Sequence, residues 1–182
     1  MPDKLRCFIA LDLPENVVSE LKKIQKDIWD QDVIIGKLTE EENIHLTLKF
    51  LGSISSGTLD QVRRKLKSIP VKSFEASIKE IGVFSPEFVR IIWAKMGGKE
   101  VFELQSLIDK ALSDLFPKEE RFMSHITISR VKNIKDKGKL IAFINRYKME
   151  EIKGKITSFS LITSELRPEG PKFTVIEKYN LK

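Results

Sequence analysis

The sequence predicts an α+β fold: two pseudo-symmetric lobes of mostly antiparallel sheet, helices on the outer faces, and a central cleft between the lobes. Three observations carry this expectation. Strand patterns of period two alternate along the chain with helical stripes. The order strand–helix–strand–helix–strand occurs twice, over roughly residues 6–84 and 89–166, and one extra strand follows over 173–181. Each copy carries the same pattern at the same place, as His45-Leu46-Thr47-Leu48 and His125-Ile126-Thr127-Ile128. A chain of 182 residues can bury enough apolar surface to hold such a duplicated unit as a single domain, residues 1–182.

The elements follow in order. Residues 8–13, apolar apart from Asp12, read as a strand covered on both faces. Pro14 and Glu15 open a helix, proline being tolerated in a first turn, and Val17, Leu21, Ile24 and Ile28 form its apolar stripe. The polar stretch around Gly36 and Glu40-Glu41-Glu42 reads as a loop. The first histidine strand covers 43–51 and Gly52 closes it. A helix over 57–69 is striped by Leu59, Val62, Leu66 and Ile69. The strand over 73–84 is expected to be irregular near Gly82, since a glycine inside a strand marks a bulge or a close approach. After the turn Ser85-Pro86 the second copy begins with a strand over 89–96. A helix over 99–116 carries Val101, Leu104, Ile108, Ala111 and Leu115 on one side. The second histidine strand runs over 122–131, a helix over 136–147, and a strand over 155–166. A duplicated unit packs most simply about a pseudo-twofold axis, which sets the two histidine strands facing one another across a groove.

Composition narrows the function. With 41% hydrophobic and 32% charged residues the chain is an ordinary globular one. No apolar run approaches the ~20 residues that span a bilayer, and the start has no signal-peptide layout, so no membrane association is expected. A single cysteine, Cys7, excludes an internal disulfide framework and suits a reducing cytoplasm; within an apolar strand it reads as core. The net charge of +6 favours polyanionic partners, nucleic acid included, although Lys and Glu are interleaved and most of these charges read as solvated surface. Trp29 and Trp93 read as packing residues, Trp93 alternatively as part of a cleft wall.

The chemistry rests on the repeated motif. Side chains two apart on a strand share a face, so His45 projects with Thr47, and His125 with Thr127, while Leu46, Leu48, Ile126 and Ile128 point inward. A lone histidine on a strand is most often structural. These are the chain's only two histidines, and both stand in one pattern at matching places. With an unperturbed pKa of roughly 6.5, such a pair suits a site that protonates one oxygen and deprotonates another. Two histidines without an acidic or cysteine cluster make a poor zinc site, so neither a metal nor a cofactor is expected. Phosphate-cradling glycine loops, Gly-x-Ser-x-Gly and paired cysteines are absent from the sequence.

The chain resembles the 2H phosphoesterases, and within them the RNA 2′,3′-cyclic phosphodiesterases, also called the 2′-5′ RNA ligase family. Besides the two motifs, the resemblance lies in Arg6-Cys7-Phe8-Ile9-Ala10-Leu11, in Leu48-Lys49-Phe50-Leu51-Gly52, in Arg130, and in Ser164, Leu166, Gly170, Phe173 and Tyr179-Asn180-Leu181. Phe173 stands where the family would carry tyrosine. The resemblance implies two lobes flanking a cleft, one motif from each side, with the chain crossing between lobes. It implies opening of a 2′,3′-cyclic phosphate at an RNA 3′ end to a 2′-phosphate, with ATP-independent 2′-5′ ligation as a second outcome. His45 is then the proton donor and His125 the proton acceptor, and Thr47, Thr127 and Arg130 bind the phosphate. Strict alternation from His125 puts Arg130 on the wrong face, so a bulge or strand end is required for it to reach the cleft. The partners implied are RNAs with 2′,3′-cyclic phosphate or 5′-hydroxyl ends, tRNA halves among them, and the protein is expected to be a monomer. Two other readings stand beside this one: a cyclic phosphodiesterase for a small nucleotide of the ADP-ribose cyclic phosphate type, and a non-catalytic module that binds RNA ends.

Overall fold

The computed structural model describes residues 4–168 and 170–182. The chain forms β1 (Leu5–Leu11), α1 (Glu15–Asp30), β2 (Ile34–Leu38), β3 (Leu46–Ile54), α2 (Ser56–Leu66) and β4 (Phe74–Val83). The second run is β5 (Ile91–Gly97), α3 (Lys99–Ala111), β6 (His125–Ile134), α4 (Lys137–Arg146), β7 (Ile152–Ile156), β8 (Ser158–Arg167) and β9 (Gly170–Asn180). The strands make one sheet in the order β7-β4-β5-β6-β3-β1-β8-β9, with β2 also lying against β6. Every pairing among the described residues is antiparallel.

The expected crossing of the chain between lobes is specific. β4 closes the first copy but pairs with β5, and β8 closes the second, after β7, but pairs with β1. Each copy thus hands its last strand to the first strand of the other. The helices do the same: α1 packs on β6 and β7, and α3 on β3 and β4. The lobes meet where β3 and β6 pair, in the single register Leu46↔Ile126.

The core lies on the helix-covered face of the sheet. There Val17, Leu21, Ile24 and Ile28 of α1 and Val101, Leu104 and Ile108 of α3 meet the inward side chains of the strands. β1 is covered on both faces, as expected: Cys7, Ile9 and Leu11 belong to this core, whereas Phe8 and Ala10 form a smaller cluster with Ile162 on the other face. Among the described residues no helix is long and apolar enough to cross a membrane.

The structure departs from the sequence expectation in several places. Part of the stretch read as a loop is β2, an edge strand whose pattern is too short and too mixed to show a period. Gly36 lets it approach β6, for a Cβ there would fall 2.2 Å from the Arg130 carbonyl oxygen. Gly52 does not close β3 but sits inside it with φ 70°. The irregularity of β4 falls between Ile78 and Glu80, not near Gly82. α3 stops at Ala111, short of 116, and a single turn follows, closed by Phe116 N–H to the Leu112 carbonyl. The strand expected over 155–166 is two strands broken at Thr157, the point at which the chain passes from β4's side of the sheet to β1's. Trp29, expected to pack, is nearly half exposed on α1, beside the buried Ile28.

Candidate active site

His45 immediately precedes β3 and His125 opens β6. Because Leu46 pairs with Ile126, the two motifs lie side by side and antiparallel. Leu46 and Ile126 are fully buried on the core face, and His45, Thr47, His125 and Thr127 are partly buried on the opposite one.

Both strands then bulge at the same point. Across from β1, Ala10 pairs with Thr47 and Ile9 with Lys49, so Leu48 is an extra residue; across from β5, Trp93 pairs with Thr127 and Ile92 with Ser129, so Ile128 is extra. One inserted residue inverts the alternation. Two consecutive residues are therefore buried in each strand, Leu48 with Lys49 and Ile128 with Ser129. Beyond the bulges Phe50 and Arg130 return to the face of the histidines, both exposed. This is the bulge that Arg130 needs.

Each bulge is held from beneath by the helix of the other copy. Gln25 of α1 donates to the carbonyl of the inserted Ile128, at 2.9 Å, and to that of Thr39, at 2.8 Å. Gln105, 80 positions later on α3, donates to Asp109 at 2.9 Å, and Asp109 forms a buried ion pair with Lys49, the residue after the inserted Leu48. Lys49 also donates to the Pro117 carbonyl, at 2.8 Å, and Asp109 accepts from Glu119 N–H, at 3.1 Å. The connection that leads from α3 to His125 is thereby tied to the strand that follows His45. Burial alone would push the Asp109 carboxyl up, but the hydrogen bonds from Lys49, Gln105 and Glu119 hold it below its usual range.

The two imidazoles are anchored alike. His45 Nδ1 lies 2.7 Å from the carbonyl oxygen of Asn43, and His125 Nδ1 lies 2.9 Å from that of Met123, in both cases two residues upstream. A carbonyl only accepts, so each Nδ1 carries the hydrogen and Nε2 is left to exchange protons. Thr47 Oγ1 stands 3.1 Å from His45 Nε2. Burial pushes the His45 imidazolium below its ordinary range, the Asn43 carbonyl opposes this, and the positive charges of Arg130 and His125 add to the lowering. Arg130 and His125 therefore lie within electrostatic reach of His45.

Aromatic rings support both histidines, and the sequence reading did not single them out for this. Phe8 lies 5.0 Å from the His45 ring and Phe173 meets it edge-on at 5.2 Å. Phe84 meets His125 edge-on at 5.0 Å. Trp93 lies on the cleft side, opposite Thr127, buried to 6% exposure, so it both packs and backs the cleft wall. The signal for Phe8 was its place in a strand apolar on both faces; nothing local marks Phe84. Among the described residues no three His, Cys, Asp or Glu side chains converge as a metal site would need.

Comparison with known proteins bears on this arrangement. The family model of the LigT-like phosphoesterases matches the chain twice, over residues 11–93 and 92–173. A Methanocaldococcus jannaschii protein named RNA 2′,3′-cyclic phosphodiesterase is 34% identical over 180 residues, covering 96% of this chain and 100% of its own. A Methanothermobacter thermautotrophicus protein of the same name is 32% identical, covering 98% and 100%. In fold, the chain is similar to E. coli LigT crystallised with 3′-AMP, with a TM-score of 0.77 at 19% identity over 98% of this chain and 99% of that one. Two matches to one family along a single chain, full-length relatives and the shared fold agree: the chain belongs to the LigT-like phosphoesterases, the two-histidine family that its paired motifs resemble.

Proposed function

We propose that this protein opens 2′,3′-cyclic phosphates at RNA 3′ ends and leaves a 2′-phosphate. The observation that carries the reading is the matched pair of histidines, each with Nδ1 held by a backbone carbonyl so that Nε2 is the nitrogen left for proton exchange, beside two threonines and Arg130 on one face. The names of the full-length relatives support the substrate class. His125 Nε2 takes a proton from the attacking water, the P–O3′ bond breaks, and His45 Nε2–H gives its proton to O3′. Thr47 and Thr127 donate to the non-bridging oxygens, and Arg130 neutralises their charge. Without substrate, burial and the charge of Arg130 favour neutral His45. A bound phosphate supplies the opposite charge, so substrate brings a proton to His45 and arms it as the donor.

A 5′-hydroxyl RNA in place of water gives a 2′-5′ linkage through the same proton transfers. The cyclic ester supplies the driving strain, so neither outcome consumes a triphosphate. The test is to digest a cyclic-phosphate-ended oligonucleotide without ATP and map the phosphate. A 2′-phosphate is expected; a 3′-phosphate or strict ATP dependence would overturn the reading. Faster turnover of a cyclic-phosphate mononucleotide than of the oligonucleotide would favour the small-nucleotide enzyme, and binding with no turnover the RNA-end module. Sulfur in place of O3′ leaves without a proton, so it should rescue His45→Ala and not His125→Ala if the two roles are assigned correctly.

A further inference from the structure

The connection between β4 and β5 carries surface that hydrolysis does not use. Phe84, the first residue beyond β4, is 52% exposed while its ring touches His125. It leans on Trp93, with 6.1 Å between ring centres. Trp93 in turn lies across Gly82, where a Cβ would fall 2.4 Å from the indole. Only glycine leaves room for that seat, so Phe84 stands on a fixed base with much of its ring open. Four residues on, Phe88 is 65% exposed, and the Arg90 guanidinium lies 4.4 Å over its ring, steadied by a hydrogen bond to the Lys132 carbonyl. Two exposed aromatic rings and an arginine on one short connection are the materials of a platform for single-stranded nucleic acid: bases stack on the rings and the cation meets the backbone.

The chemistry says which nucleotide this platform would hold. In an in-line displacement the entering and departing oxygens lie on opposite sides of phosphorus. The departing O3′ lies by the proton donor, His45, whose ring is flanked by Phe8 and Phe173. The entering oxygen lies by the acceptor, His125, whose ring is flanked by Phe84. Water needs no aromatic surface on that side. A nucleoside that brings a 5′-hydroxyl does.

We infer that the β4–β5 connection, through Phe84, Phe88 and Arg90, docks the 5′-hydroxyl end of a second RNA strand. This rests on the activity proposed above and on His125 as the acceptor. The bound strand's 5′-oxygen forms the new bond to phosphorus as the P–O3′ bond breaks; its proton passes to His125 Nε2, and His45 gives one to O3′. No other reactant enters. Docking raises the local concentration of the 5′-hydroxyl against water at roughly 55 M, which free diffusion could not do.

The experiment mixes a cyclic-phosphate-ended oligonucleotide with a 5′-hydroxyl oligonucleotide, without ATP, and reads the ratio of ligated to hydrolysed product. With the native protein the ratio should rise with acceptor concentration and saturate. Phe84→Ala and Phe88→Ala should each lower it by about tenfold, within the range of one lost base stack. Phe84→Tyr, which keeps a stacking face, should preserve it. Any disturbance of His125 divides out, because both products pass through the same histidines. Phe88→Ala should hydrolyse at the native rate. A ratio unchanged in both alanine variants, one that never saturates, or no ligated product at all would overturn the inference while leaving hydrolysis intact. If the native protein does not consume the cyclic phosphate, the activity itself is wrong and this inference falls with it.

Discussion

His45 and His125 share one anchoring geometry but not one environment, and the difference can be measured. His45→Ala and His125→Ala should each lower turnover by at least ~10²-fold, the usual scale for a single acid or base. The double variant should be little worse than either, because the pair works as a unit. Arg130 contributes to the depressed pKa of His45. Arg130→Met should therefore shift the His45 titration upward, which the pH dependence of its imidazole NMR signals reports directly. Folded His45 binds its proton less well than in the unfolded chain, where its pKa is roughly 6.5. Below that value the unfolded state holds the extra proton. The stability from neutral His45 is complete above about pH 6.5 and is lost as the pH falls through the folded value. Against His45→Gln, the native protein should lose more stability between about pH 7 and 5, as judged by denaturant midpoints; parallel losses would show that His45 is not depressed.

Among the elements, the paired bulges decide what the cleft contains, and Lys49–Asp109 holds one of them. Lys49→Met leaves Asp109 buried without its partner and should cost about 3–5 kcal/mol in urea unfolding. Adding Asp109→Leu should recover part of this, since two apolar residues leave no unpaired charge. Turnover should fall in both variants, because the connection into β6 loses its tie at Pro117 in the first and at both Pro117 and Glu119 in the second. Gly82→Ala must displace Trp93 and should cost about 1–3 kcal/mol by overpacking. Much of this was legible in the sequence. The stripes of α1 and α3 and the inward Leu46 and Ile126 follow from period, and the doubly covered β1 from its apolar run. The bulges were not, since an inserted residue leaves the local pattern of apolar positions nearly unchanged; only the demand that Arg130 reach the cleft pointed to one. β2 was hidden for another reason: its pairing with β6 is long-range and its five residues show too little pattern. Phe84 and Phe173 approach their histidines through tertiary packing that no neighbour in sequence announces.

At the scale of the whole molecule, the exchange of β4 and β8 makes each lobe depend on both copies. The protein should unfold in one cooperative transition, with near- and far-ultraviolet circular dichroism coinciding. A fragment ending at residue 88 should be unfolded by itself, because β1 would lack β8 and β4 would lack β5. The exchange has one more consequence. A single copy of the repeat could complete its sheet only by trading strands with an identical partner about a twofold axis. In such a pair both histidines would feel the same surroundings, and the positions now filled by Phe50 and Arg130 would have to hold the same residue. Joining the copies into one polypeptide releases that constraint. An aromatic ring can stand on one side and a cation on the other, and two chemically equal bases are free to take different roles, as the proposed division into a giver and a taker of protons requires.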